Sequence, residues 1–359
     1  MNHDLPRPLE NPANHPPARA PRPVWRRLAP WLIAGSLIVF LLSQVPLSSI
    51  VDLVLHADLR LVFLGAALYL VINLVRSVRA VVILRSPLRD APKLIAPNLA
   101  SSFGSNVLPA RAGELVFIWA VHQELNAGWG PSTALLIIMR VFDILAVAIC
   151  FMATVALGVT VVDARMLALI LALLAAGVAV MALLPWIGRY LVQALVRLVG
   201  LARREAWTGF VAREGGHATA AFAMLRDGRV YLATLGLSLL IWLLLFGWIF
   251  ILIRAIGIPT TLEQTVLGAT FAVYAKAIPF TSIGGWGAHE LGWAAGFSLA
   301  GWPIALAISS GFAVNTLIIL TSAVCGLPAW MKLTAASRHN ARAAPGAASK
   351  PIPTAPSDT

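Results

Sequence analysis

Cysteine is almost absent from this chain. Its 359 residues include two, Cys150 and Cys325, both inside apolar stretches, which argues against a disulfide framework and against a metal site. Charge is scarce as well: Asp, Glu, Lys and Arg make up 12% of the residues, about half the share found in soluble domains. Hydrophobic residues reach 59% and mean hydropathy is +0.83, so the chain reads as a polytopic membrane protein. Acids are scarcer than bases, 15 against 27, for a formal charge of +12. Such an excess would suit nucleic acid, but the bases sit in short loops and tails between apolar runs, where they set membrane orientation instead. No nucleic-acid partner is expected. Also missing are a nucleophile elbow, a P-loop, a zinc-protease helix and a dinucleotide fingerprint. The largest polar piece, 187–228, has only about forty residues, too few for a catalytic domain of its own. Accordingly no catalytic residue, metal or cofactor is expected.

What the sequence does contain is a series of apolar runs near 29–46, 61–84, 131–158, 164–185, 230–256 and 304–330, each about the 20 residues needed to cross a bilayer. The first follows Arg26 and Arg27 but lacks a small-x-small cleavage site, so it reads as a retained span. Residues 1–28 form a basic tail without apolar periodicity and 332–359 a second one; both are expected to be disordered and cytoplasmic. Between them lies one transmembrane domain, 29–331, interrupted by the segment 187–228. There Leu191, Leu195, Leu198 and Leu201 with interleaved Arg suggest amphipathic helices on anionic inner-leaflet lipids.

Two further apolar stretches, about 94–121 and 262–301, each carry a break. The first contains Asn106, Pro109, Arg111, Gly113 and Glu114; the second contains Lys276, Pro279, Gly284, Gly285, Gly287 and Glu290. The positive-inside rule decides whether they cross. With a cytoplasmic amino terminus, Arg85, Arg89 and Lys93 lie inside after the second span. If 94–121 enters and returns, the seven arginines from Arg189 to Arg229 also lie inside; a full crossing would put all seven outside. The same reasoning makes 262–301 dip in from the outer face. The expected fold is therefore all-α, with about six transmembrane helices and two oppositely oriented re-entrant helical hairpins forming an inverted repeat, a transporter design.

Ionisable residues in such breaks are tolerated where they are paired or face a wet cavity. Arg111 with Glu114, and Arg140 with Asp143, are three apart and share a helix face. A helix starting near Ala112 beside Arg111 would make an anion site, and a lipid phosphate is the obvious anion. Arg76 and Arg79 either add positive charge there or snorkel to headgroups. Glu290 either caps its helix or couples to protons, His289 beside it titrates near neutral pH, and Lys276 would pair with Glu290 or receive an anion. Substrate contacts are thus expected from Asn106, Arg111, Glu114, Arg140, Asp143, Lys276 and Glu290.

The combination Asn106, Leu108-Pro109-Ala-Arg111-Ala-Gly113-Glu114, Arg140 to Asp143, and Pro279 with Gly284-Gly285-Trp-Gly287-Ala-His-Glu290 resembles the lysylphosphatidylglycerol synthase transmembrane region, or flippase-like membrane proteins, over most of 29–331. The resemblance implies translocation or handling of a lipid with a charged or glycosylated headgroup across a bacterial cytoplasmic membrane. Larger relatives carry an aminoacyl-transferase domain that this chain lacks, so synthesis is not carried over and an enzyme is not expected. Asn315 stands where the repeat would lead one to expect an Arg matching Arg140. Two alternatives stay open: a membrane enzyme using Glu114 or Glu290 on a lipid headgroup, and a non-transporting scaffold that gathers envelope-biosynthesis partner proteins.

Overall fold

A computed structural model describes residues 38–108, 112–156, 205–277 and 286–343, with isolated positions at 36, 190, 193, 194 and 197. The expected span at 164–185, the breaks Pro109, Pro279, Gly284 and Gly285, and Arg111 fall outside these residues. Every regular element among the described residues is helical: α1 Leu47–Leu55, α2 Leu59–Ile83, α3 Ile95–Val107, α4 Gly113–Leu125, α5 Trp129–Ala156, α6 Glu205–Ala223, α7 Gly228–Ala255, α8 Leu262–Ala277, α9 Ala288–Leu299 and α10 Ile304–Ala343, with short 3₁₀ turns before α3 and α7. Four helices are long and apolar enough to cross a membrane, at Leu59–Ile83, Trp129–Ala156, Gly228–Ala255 and Ile304–Ala335. They coincide with four of the six expected runs. The run at 29–46 is described from residue 38 and is helical to Leu42. α10 continues past the expected tail boundary at 331 and ends at Ala343.

Two capping carboxylates set the frame. Asp58 begins α2, its Oδ1 accepting from the Arg60 N–H at 2.8 Å, and Asp227 begins α7, its Oδ1 accepting from the Arg229 N–H at 3.0 Å. Each cap satisfies an orphan donor of the first turn. The same residues tie the helices together: the Asp58 N–H donates to Ala255 O at 2.8 Å, and Arg85 Nη2 donates to Asp227 Oδ2 at 2.5 Å. α2 and α7 therefore run antiparallel, each one's start fastened to the other's end.

Between the long helices lie two pairs of short ones. α8 and α9 are antiparallel, since Gly292 abuts Phe271 and Ala272, Gly296 abuts Gly268, and Gln264 Nε2 reaches Ala300 O at 3.4 Å. α3 and α4 pack where Gly113, the first residue of α4, lies against Ser101, Gly104 and Ser105. α5 starts at the end of the bundle where α2 stops, because Ile83, Leu94, Val121, Ala134 and Phe222 share one buried apolar cluster. α10 starts at the opposite end, where Ile256 and Pro303 line one pocket with His56. In chain order, a long helix, a short pair and a long helix occur twice, as α2 to α5 and as α7 to α10.

Candidate functional site

α2, α3, α4, α5, α7, α8, α9 and α10 line a cavity of about 230 Å³, with Arg76, Arg79, Asn106, Arg140, Asp143 and Lys276 among its lining residues. Its first side is an ion-pair chain. Asp143 on α5 accepts from Arg79 Nη1 at 2.6 Å and from Trp242 Nε1 at 3.2 Å, both on Oδ1, while Arg140 Nη1 lies 3.7 Å from Oδ2. Arg140 Nη2 donates to Glu114 Oε1 on α4 at 2.8 Å. Arg79 Nη1 also donates to Ser238 Oγ at 2.8 Å. The expected set Glu114, Arg140 and Asp143 is therefore brought together, and through Arg140 it fastens the first short pair to α5.

Arg79 does not snorkel. Its side chain is 2% exposed and is the nearest partner of Asp143. Arg76, one turn earlier, faces the cavity and donates to Ser102 Oγ at 3.4 Å. Among the described residues no carboxylate lies within ion-pair distance of it. From the sequence, snorkelling and added positive charge at an anion site are equally open for these two arginines. The deciding signal is the polar stripe Tyr69, Asn73, Arg76, Ser77 on an otherwise apolar helix, whose spacing of three and four marks an inward face.

The second side is held by hydrogen bonds. Glu290 is fully buried; Oε2 accepts from the Gly287 N–H at 2.6 Å and Oε1 from Asn315 Nδ2 at 2.7 Å. The first bond caps α9, with Gly287 at φ 86°, a conformation natural to glycine. Lys276 Nζ donates to Asn315 Oδ1 at 3.2 Å. Lys276 and Glu290 are thus joined by way of Asn315. Asn106 Nδ2 donates to Ser322 Oγ at 3.2 Å, linking α3 to α10. Among the described residues no three His, Cys, Asp or Glu side chains converge as a metal site.

Apolar helices of membrane-crossing length around a charged cavity define a multi-pass membrane protein. Residues 27–325 match the family described as Lysylphosphatidylglycerol synthase TM region, and the chain belongs to that family. Comparison with curated proteins and with solved structures finds no match.

Proposed function

We propose that the protein moves an anionic lipid between leaflets of a bacterial cytoplasmic membrane, with the headgroup phosphate held on Arg76 inside the cavity. The observation that carries this reading is the charge imbalance there. Arg76, Arg79, Arg140 and Lys276 stand against Glu114, Asp143 and Glu290, and Arg76 makes no ion pair with a carboxylate among the described residues. A half-buried cation without a direct ion pair is costly to desolvate, and an anion entering the cavity would relieve that cost. About 230 Å³ holds roughly eight waters at ~30 Å³ each, room for a phosphate and a few more atoms, while the acyl chains stay in the bilayer.

The short helix pairs act as re-entrant hairpins entering from opposite faces, in an inverted repeat with two further spans outside the described residues and both termini cytoplasmic. Opposed hairpins meeting at a central polar site suit alternating access. Both glutamates weighed as general acid-base are engaged, Glu114 with Arg140 and Glu290 with two N–H donors. That favours transport over headgroup chemistry. The test is translocation of labelled lipids in proteoliposomes. Anionic lipids are expected to exchange leaflets with the wild type, and Arg76→Gln is expected to lower the rate at least tenfold; no translocation of any anionic lipid by pure wild type overturns the reading.

A further inference from the structure

His289 sits beside this site and the ion-pair chain does not use it. Its ring is 4% exposed, lines the cavity and is packed against Trp293 at 5.4 Å between ring centroids. Nδ1 is buried, makes no hydrogen bond among the described residues, and stands 3.6 Å from Glu290 Oε1. That separation is too long for a hydrogen bond, yet suits an ion pair were the ring charged. A buried imidazole nitrogen without a partner is costly, and one aimed at a carboxylate has an obvious way to gain one.

We propose that His289 is a proton site linked to cavity occupancy: entry of a phosphodiester anion draws one proton from water onto Nδ1. The anion and the proton are then bound together. This rests on the lipid reading above and adds its coupling ion.

The groups facing His289 decide the direction. On α8, Lys276 opposes a second positive charge, and the amino terminus of α9, where His289 is the second residue, opposes it too. On α9, Glu290 favours it but is occupied by the Gly287 N–H and Asn315. α10 contributes the uncharged Asn315. Across the cavity, Arg76 and Arg79 on α2 and Arg140 on α5 stand against Asp143 on α5 and Glu114 on α4, so that cations still outnumber acids by one. The empty cavity thus carries a positive excess that keeps the ring neutral. A bound anion cancels that excess, and the proton then gains Glu290 as an ion-pair partner at small displacement. Because linkage is reciprocal, a proton on His289 tightens anion binding by the factor by which the anion tightens proton binding.

The experiment measures binding of phosphatidylglycerol and cardiolipin to the detergent-solubilised protein between about pH 6 and 8, where a histidine changes charge and a phosphodiester does not. Proton uptake on binding is read with an indicator dye in weak buffer. For the wild type, affinity is expected to fall up to tenfold per pH unit on the alkaline side, with about one proton taken up per lipid. His289→Gln is expected to bind at the wild type's alkaline affinity with no pH slope. Binding without proton uptake by the wild type, or an unchanged slope in His289→Gln, overturns the proton site and leaves the lipid reading standing. Failure of the wild type to bind either lipid at any pH overturns both.

Discussion

Arg79 and Arg140 share Asp143, yet their surroundings give them different weights. Arg79 is 2% exposed and bonded to Asp143 at 2.6 Å; Arg140 is 41% exposed, stands 3.7 Å from Asp143 and has its closer partner in the half-buried Glu114 at 2.8 Å. Removing one partner of a buried pair leaves an uncompensated charge and costs about 3–5 kcal/mol, whereas a solvated pair is worth about 0–1. Arg79→Met is therefore expected to lower the unfolding temperature in detergent sharply, and Arg140→Met only slightly, with equal losses counting against the assignment. Pairs three apart were readable from spacing, as Arg140 and Asp143 were. Arg79 with Asp143 was not, because the partners lie 64 positions apart and only packing joins them. Asn315 is similar. The repeat led one to expect arginine there, but Asn315 accepts from Lys276 and donates to Glu290, and a guanidinium has no acceptor.

The helix starts that follow the two expected breaks were legible because Pro and Gly punctuate a helix by fixed local rules. A helix expected from about Ala112 begins at Gly113, and the one expected to start around Glu290 begins at Ala288. Which helix packs against which was not legible, since the antiparallel union of α2 and α7 rests on Asp58, Asp227 and Arg85, far apart in the chain. A close element contact is testable at Gly113. A Cβ there would strike the backbone of Ser101, Gly104 and Ser105, and backbone cannot yield as a side-chain tip does. Gly113→Ala is expected to cost about 1–3 kcal/mol or more from overpacking. Gly216→Ala, where nothing lies within 4 Å, is the control and is expected to leave stability unchanged or slightly raised. Equal melting of the two variants would mean that α3 and α4 do not meet this closely.

At the scale of the whole molecule, length and charge point the same way. α3 and α4 have 13 residues each, about 20 Å of rise, against a hydrocarbon core of ~30 Å, so neither crosses alone. Arg85, Arg89, Lys93, Arg226 and Arg229 gather at the end where α2 stops and α7 starts, because Arg85 bonds Asp227 there. Arg60 and Arg254 mark the other end, beside the bond from Asp58 to Ala255. Such asymmetry is what the positive-inside rule expects of a cytoplasmic first end. If the first short pair is a hairpin, Leu88 before it and Gln123 near its end face the same side; if it crosses, they face opposite sides. Single cysteines at Leu88 and Gln123, and at Leu262 and Ile304 around the second pair, test this after Cys150 and Cys325 are replaced. Leu88, Leu262 and Ile304 are 65%, 48% and 58% exposed, and Gln123 is exposed as well. An impermeant thiol reagent added outside intact cells is expected to label 262 and 304 and spare 88 and 123, with the pattern reversed in inverted vesicles. Labelling that separates 88 from 123, or 262 from 304, would mean that one pair crosses, and the two halves could then not face a single cavity as inverted copies.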